Sequence, residues 1–169
     1  MQQIKWFDRK FKFPDGQNIF PSIVERLRGT SVRLVDKISK MQGVDVTAKL
    51  EGSWSIAENI GHLIDLEPLW QGRLEDILND TKELRHADLE NTKTNLANHN
   101  NKNIQDLLKE FSETRDKTVA KLEALNEKEI YKHALHPRLK TPMRMMDLFL
   151  FVAEHDDHHL VRITEISRL

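Results

Sequence analysis

The 169-residue chain contains no cysteine. Disulfide bonds and thiolate metal ligands are therefore excluded, and any thiol in its chemistry must come from a small molecule. An excess of one charge is also lacking, since 26 Lys and Arg residues nearly balance 27 Asp and Glu residues. Without a basic excess to neutralise a phosphate backbone, nucleic-acid binding is not predicted.

Long apolar runs are missing as well. No segment approaches the roughly 18 apolar residues of a membrane-spanning helix, and the N-terminal stretch MQQIKWFDRKFKF lacks the apolar region of a signal peptide. No alternation of apolar and polar residues is long enough to predict a strand. These absences favour a soluble, cytoplasmic, all-α protein, and the length suits a single domain over residues 1–169 with its own hydrophobic core.

The most informative stretch is 141–169, TPMRMMDLFLFVAEHDDHHLVRITEISRL, which holds three of the eight histidines. Thr141 as a cap and Pro142 at the first helical position predict that a helix begins here. The apolar residues that follow recur every three to four positions. His155 and His159 lie on this apolar face, one turn apart, so both imidazoles are expected to point into the interior towards one place.

Three further amphipathic helices precede this one. They are expected over about residues 20–41, 54–78 and 103–125. Ser55 and Glu58 form a predicted capping box at the start of the second helix. Residues 79–102 are polar and predict a long connection between helices 2 and 3, whose direction the pattern leaves open, while the aromatic residues within 1–17 predict an ordered strap. The expected fold is a four-helix bundle.

A third histidine, His62, lies in the middle of the second helix among apolar neighbours. Because a bundle brings inward-facing positions of different helices together, His62, His155 and His159 are predicted to bind one divalent metal ion. Neutral imidazoles suit zinc, nickel, copper and iron, and three protein ligands leave a position open for water or substrate. The alternative is three core histidines that hydrogen-bond to backbone or carboxylate groups.

The polar neighbours of His155 and His159 are assigned lesser roles. His158 lies about 100° around the helix from His159 and is expected to be exposed or to lie behind a ligand. Asp156 and Asp157 are expected to point outward as solvated charges. Since Asp156 occupies the position that a zincin protease fills with glutamate, a peptidase of that kind is disfavoured.

Two carboxylates, Glu58 and Asp65, flank His62 by one turn each and are the candidate catalytic residues. Either could orient an imidazole or accept a proton; the alternative is a charge on the helix surface, with a capping role for Glu58. His99 and His136 fall in connections, where histidines are usually solvated, although either loop could line the mouth of a pocket.

WSIAENIGHLIDLEPLW, taken with HPRLKTPMRMMDLFLFVAEHDDHHLVRI, resembles the DinB/YfiT-like superfamily. WFDRKFKF, FPSIVERLRGT and ADLENTKTNLANHN extend the resemblance over nearly the whole chain. It implies a four-helix bundle, often a homodimer, with a divalent metal (zinc or nickel) held by three histidines, which by position are His62, His155 and His159. Family members include thiol-dependent S-transferases, bacillithiol transferases among them, relatives of the thiol-dependent maleylpyruvate isomerases, and many proteins without an assigned reaction.

The function predicted from these observations is a metal-dependent transferase that uses a low-molecular-weight thiol and a small-molecule electrophile. The metal is expected to bind the thiol in its open position and lower the thiol pKa. One alternative is a hydrolase with the same three ligands. Others are a non-catalytic metal-binding or stress-associated bundle, in which a fourth ligand such as His99 or Glu58 fills the site, and a helical interaction module without metal.

Overall fold

Four long helices dominate the computed structural model, which describes residues 3–50 and 52–168. They are α1 (Phe20–Ser39), α2 (Ile56–Leu78), α4 (Ile104–Glu123) and α6 (Met145–Ile166). Two short helices, α3 (Thr92–Leu96) and α5 (Glu127–Tyr131), lie in the connections. Since α1 and α2 each pack against both α4 and α6, the first two long helices occupy opposite corners of the bundle. The predicted four-helix bundle is confirmed.

The start of α2 follows directly from its sequence. The Ser55 hydroxyl accepts a hydrogen bond from the Glu58 backbone N–H at 3.1 Å, and the Glu58 carboxylate accepts one from the Ser55 N–H at 2.9 Å. This capping box satisfies two backbone donors that a helix start otherwise leaves unpaired. The helix then runs past Pro68 to Leu78 and buries the face that carries His62.

Two features differ from the prediction. The helix α6 starts later than expected, and a pair of short strands is present where none was predicted. Residues 142–144 form a strand, β2 (Pro142–Arg144), that pairs antiparallel with β1 (His133–Leu135). Neither Thr141 nor Pro142 therefore begins the helix, which starts at Met145. Arg144, the residue before it, donates a hydrogen bond from Nε to the Asp147 carboxylate at 2.8 Å. Strands of three residues are too short for alternation to reveal them, and the pairing of β2 with the preceding strand β1 overrides the local helix signal.

The connection between α2 and α4 packs against α2. Thr94 in α3 and His99 in the 3-10 turn that follows are both buried there. The His99 ring approaches so closely that a Cβ atom on Gly61 would lie 2.2 Å from it. Glycine at position 61 therefore permits this approach, and the connection is an ordered part of the domain.

The N-terminal strap packs against the middle of α6. The Trp6 ring packs edge-on against Phe151 and His155, with ring centroids 5.0 and 4.9 Å away, and Phe11 packs on Phe151 at 4.9 Å. Trp6 and Phe11 thus form part of the wall beside α6; the sequence predicted an ordered strap but not this contact. In the part of the chain that the structure describes, no helix has the length and apolar character needed to cross a bilayer.

Candidate metal centre

His62 from α2 and His155 and His159 from α6 meet inside the bundle. Each offers one ring nitrogen, and these three atoms lie within 4.8 Å of one another. The three residues are 4–5% exposed. The Nε2 atoms of His155 and His159 are 3.2 Å apart. The structure therefore brings together the three residues that helical spacing and the resemblance selected.

The arrangement fits a divalent metal ion. Two imidazole nitrogens bound tetrahedrally to zinc at 2.0–2.1 Å would lie about 3.3 Å apart, close to the observed His155–His159 separation. The Nδ1 atom of His155 is buried without a hydrogen-bond partner in residues 3–50 and 52–168. A core histidine is normally satisfied by a polar neighbour. Because Nε2 of His155 is the atom that faces His159, a metal ion there would leave this Nδ1 atom unpaired as well, and the fit to a metal rests on the convergence of the three ring nitrogens.

All three imidazoles are neutral at pH 7. Burial lowers the pKa of His62 to about 4, although the nearby charge of Asp65 opposes this change. Burial, and then the neighbouring histidines, hold the pKa values of His155 and His159 well below the ordinary value. A neutral imidazole keeps a lone pair for a cation, whereas a protonated one repels it.

The orientation of His62 is set by two polar residues. Its Nδ1 atom lies 3.1 Å from the Thr94 hydroxyl, which donates to the Asp65 carboxylate at 2.9 Å. This leaves Nε2 of His62 to face the other two histidines. Asp65 thus reaches the site through Thr94 and makes a second contact, with His99 Nε2 at 2.9 Å. Burial alone would raise the pKa of Asp65, but its hydrogen bonds with His99 and Thr94 and the charge of Lys93 lower it.

The orientation of His159 depends on Asn59. The Asn59 side-chain oxygen lies 2.8 Å from His159 Nδ1, and its amide nitrogen donates to the Ser55 carbonyl at 2.7 Å. His159 Nδ1 therefore carries the proton, and Nε2 carries the lone pair. Hydrogen bonds of this kind orient the histidine ligands of metal sites. Sequence reasoning missed Asn59 and Thr94. A polar Asn one turn before His62, on the same buried face, was the available signal.

Glu58 lies outside this cluster. Its carboxylate accepts the capping hydrogen bond and pairs with Lys49 at 2.6 Å. In the part of the chain that is described, no hydrogen bond joins it to the three histidines. The capping alternative therefore describes Glu58 better than a role as proton acceptor.

The prediction that Asp156 points into solvent is wrong. Asp156 is 0% exposed and forms an ion pair with Arg115, whose Nη1 lies 2.5 Å from the carboxylate, and it accepts a hydrogen bond from Thr30 at 2.8 Å. Its counter-charge comes from α4, which the pattern of α6 does not reveal. Asp157 is half-buried and pairs with Arg26 and Arg33 on α1.

An open cavity of about 500 Å³ adjoins the three histidines. Large apolar side chains dominate its wall: Trp6, Phe7, Trp54, Leu66, Leu69, Trp70, Leu89 and Phe151. His158 also lines the cavity and is half-buried. His99 and His136 are both 2% exposed, so the expectation that they are solvated is wrong, while His136 does line the cavity. The open side of the histidine cluster thus faces a space large enough for a small molecule.

Comparison with known proteins agrees with this architecture. YfiT from Bacillus subtilis, described as a probable metal-dependent hydrolase with an unusual four-helix bundle topology, superposes with a TM-score of 0.79 at 21% identity, over 94% of this chain and 93% of that chain. At this identity the likeness shows the fold alone. No curated protein matches the chain significantly. The model of the DinB superfamily matches residues 23–163, and the chain therefore belongs to the DinB superfamily.

Proposed function

We propose that this protein is a divalent-metal-dependent enzyme that transfers a low-molecular-weight thiol to a small electrophile, with His62, His155 and His159 as the metal ligands. One observation carries the proposal: three neutral, buried imidazole nitrogens converge within 4.8 Å beside a cavity. Three protein ligands with an open side are typical of catalytic metal sites, whereas structural sites are closed by a fourth. Zinc and nickel both suit this ligand set.

When bound, a divalent cation lowers the pKa of a thiol or water molecule in the open position. The chain has no cysteine, so the thiol is a second substrate. Trp54 lies over His62 with ring centroids 4.5 Å apart, and Trp6 lies beside His155. These rings exclude water from one side of the site and offer an apolar surface to the electrophile.

The positions of the carboxylates favour a thiol over water as the nucleophile. Glu58 is paired with Lys49, and Asp65 lies behind Thr94. Asp156 is paired with Arg115. None of the three is placed to take a proton from a nucleophile in the cavity. A thiol, with an ordinary pKa of about 8.5, starts closer to neutrality than water, with a pKa of about 15.7, and a bound cation would lower both.

Hydrolysis is the second candidate. The description of YfiT as a probable metal-dependent hydrolase favours it. The same three histidines and the same open side serve a water nucleophile, so the two candidates differ in the substrate and share the site.

Metal analysis of untagged protein tests the ligand assignment. We expect one divalent ion per chain, and His62→Ala and His155→Ala to lose it because each removes one of three ligands. His158→Ala is the matched control, since His158 also lines the cavity but is outside the cluster, and it should retain the metal. Retention of metal by both His62→Ala and His155→Ala would show that the ligands are assigned wrongly.

Turnover separates the two reactions. Metal-loaded protein is mixed with 1-chloro-2,4-dinitrobenzene and cysteine, glutathione or coenzyme A, and separately with p-nitrophenyl acetate alone. In the transfer, sulfur forms a bond to the ring carbon, chloride leaves, and the thiol proton passes to the buffer. We expect thiol-dependent and metal-dependent product. Ester hydrolysis without thiol, combined with no thioether product, would favour the hydrolase.

A further inference from the structure

A second polar group lies in the cavity, away from the three histidines. It comprises Arg73 from α2, and His136 and Arg138 from the loop between β1 and β2. Arg73 is 2% exposed. Among residues 3–50 and 52–168, no carboxylate lies within 4.0 Å of the guanidinium nitrogens of Arg73 or Arg138. Two arginine charges at this end of the cavity thus lack a counter-ion.

The nearest acidic side chains are already engaged. Asp76 binds Arg85 through two hydrogen bonds of 2.7 and 2.9 Å. Arg73 donates from Nε to the Arg85 carbonyl at 3.1 Å, which uses only one of its five donors. Burial lowers the pKa of Arg73 to about 10; the charge of Asp76 opposes this change, and the charges of Arg138 and Arg85 add to it. The guanidinium therefore stays charged at pH 7 and remains uncompensated.

The other charged residues of the cavity wall also have partners. Asp88, the one carboxylate on this wall in the described part of the chain, accepts hydrogen bonds from the backbone N–H groups of Glu90 and Lys93. Arg162 pairs with Glu165 at 2.6 Å. Among the described lining residues, Arg73 and Arg138 are thus the arginines without an ion-pair partner.

The protonation of His136 shows that this polar group lacks a hydrogen-bond acceptor. Its Nδ1 atom accepts hydrogen bonds from the backbone N–H groups of Arg138 and Leu139, both at 3.2 Å. Burial lowers the pKa of His136 to about 4, so the ring is neutral and carries its single proton on Nε2. Yet Nε2 lies 3.2 Å from Arg73 Nη1, which is also a donor. Two N–H groups face each other with no acceptor between them.

Arg138 adds a third donor. Its Nη2 atom is buried and has no hydrogen-bond partner among the residues that the structure describes. A buried donor without a partner costs about 1–3 kcal/mol, more when it is charged, so such a group normally signals a missing partner. Three residues with donors on the wall of one cavity, without an acceptor among the described residues, call for an oxygen anion.

We propose that Arg73, His136 and Arg138 form a binding subsite for the anionic end, a carboxylate or a phosphate, of an organic substrate. The anion oxygens accept hydrogen bonds from His136 Nε2 and from the guanidinium groups of Arg73 and Arg138, and neutralise the guanidinium charges. This assignment concerns the binding of an anion and does not depend on a metal at the three histidines.

The geometry of α2 relates this subsite to the histidine cluster. Arg73 follows His62 by eleven residues, which is three helical turns, so both lie on the same face and their Cα atoms are about 16 Å apart along the axis. Leu66 and Leu69 lie between them and line the cavity. The ligand is therefore an amphipathic anion with an apolar body. Reaction of the other end of this ligand at the three histidines rests on the proposed function.

Calorimetric titration of the full chain with matched ligands tests the subsite. The probes are 4-phenylbutyrate, 3-phenylpropylphosphonate and uncharged 4-phenylbutan-1-ol, each added to protein as purified and after chelator treatment. We expect at least one anion to bind at least about tenfold more tightly than the alcohol under both conditions, and the tighter anion identifies the preferred group. Equal affinity of anions and alcohol would overturn the subsite.

Variants locate the anion. Arg73→Gln and Arg138→Gln should each remove most of the preference for the anion. Arg28→Gln, which removes an exposed arginine paired with Glu123, should leave it unchanged. Circular dichroism checks the fold of the buried Arg73 variant, and the partly exposed Arg138 offers a second test. A preference that survives both substitutions and disappears with the chelator would place the anion at the metal and contradict the proposal, while leaving the metal assignment intact.

Discussion

Two buried polar clusters lie on different faces of α6, and their key residues, His155 and Asp156, are adjacent in the chain. In the first cluster, Arg115 lies between Glu67 and Asp156, with nitrogen–oxygen distances of 2.6 and 2.5 Å. In the second, two histidine Nε2 atoms face each other at 3.2 Å, and His155 Nδ1 has no partner in the described residues. The first cluster is satisfied by the chain itself, whereas the second offers neutral ring nitrogens that could hold an added cation.

The charges of the first cluster support this contrast. Burial alone would lower the pKa of Arg115, but the charges of Asp156 and Glu67 raise it above its ordinary value. Burial raises the pKa of Glu67, and Arg115 and the hydroxyl of Thr118 oppose that change. One cation between two carboxylates joins α2, α4 and α6, so this cluster holds the bundle together. Among residues 3–50 and 52–168, no carboxylate forms a hydrogen bond with the three histidines, and the cluster is suited to a cation.

Removal of the Arg115 charge, at the centre of the first cluster, is the strongest test of this comparison. Arg115→Met should lower the free energy of unfolding by about 3–5 kcal/mol, because it leaves two buried carboxylates without a counter-charge. Urea denaturation of metal-free protein measures the change. Arg28→Met, at an exposed ion pair, is the control and should cost less than about 1 kcal/mol. A similar, small loss in both variants would show that the buried network does not stabilise the bundle.

Thr94 tests the histidine cluster with a smaller effect. Thr94→Val removes the hydroxyl between His62 and Asp65 and should weaken metal affinity by about 10–100-fold while the fold is retained, because the imidazole loses its fixed orientation. Competition with a chelator of known affinity measures the change. Thr92→Val, an exposed position on the same short helix, is the matched control. Unchanged affinity in Thr94→Val would mean that Asp65 has no influence on the site.

Glu58 gives the smallest expected effect. Glu58→Ala breaks the capping box and the ion pair with Lys49, and it should cost roughly 0.5–1.5 kcal/mol of stability. Metal content should not change, since Glu58 makes no contact with the three histidines. Thermal unfolding and metal analysis of the same sample check both points. Loss of metal in this variant would show that Glu58 contributes to metal binding, and that a carboxylate of the chain does support the histidine cluster.

Much of the fold was predictable because helices repeat every 3.6 residues, and a buried face repeats with them. The capping box of Ser55 and Glu58 was predictable for the same local reason. The strands at 133–135 and 142–144 were not, since each consists of only three residues and depends on pairing with the other across the intervening loop. Because of this strand pairing, α6 starts at Met145 and not at Pro142. Asp156 is buried because it pairs with Arg115 on another helix.

The sequence by itself determined the four long helices and the pairing of His155 with His159, because neighbours one turn apart are set by backbone geometry. It also placed His62 on the inward face of α2. Only the tertiary structure decided that Thr94 and Asn59 orient two of the imidazoles and that Arg73 meets the loop of His136 and Arg138. These contacts join residues from separate elements, and only the packing of the chain brings them within hydrogen-bonding distance.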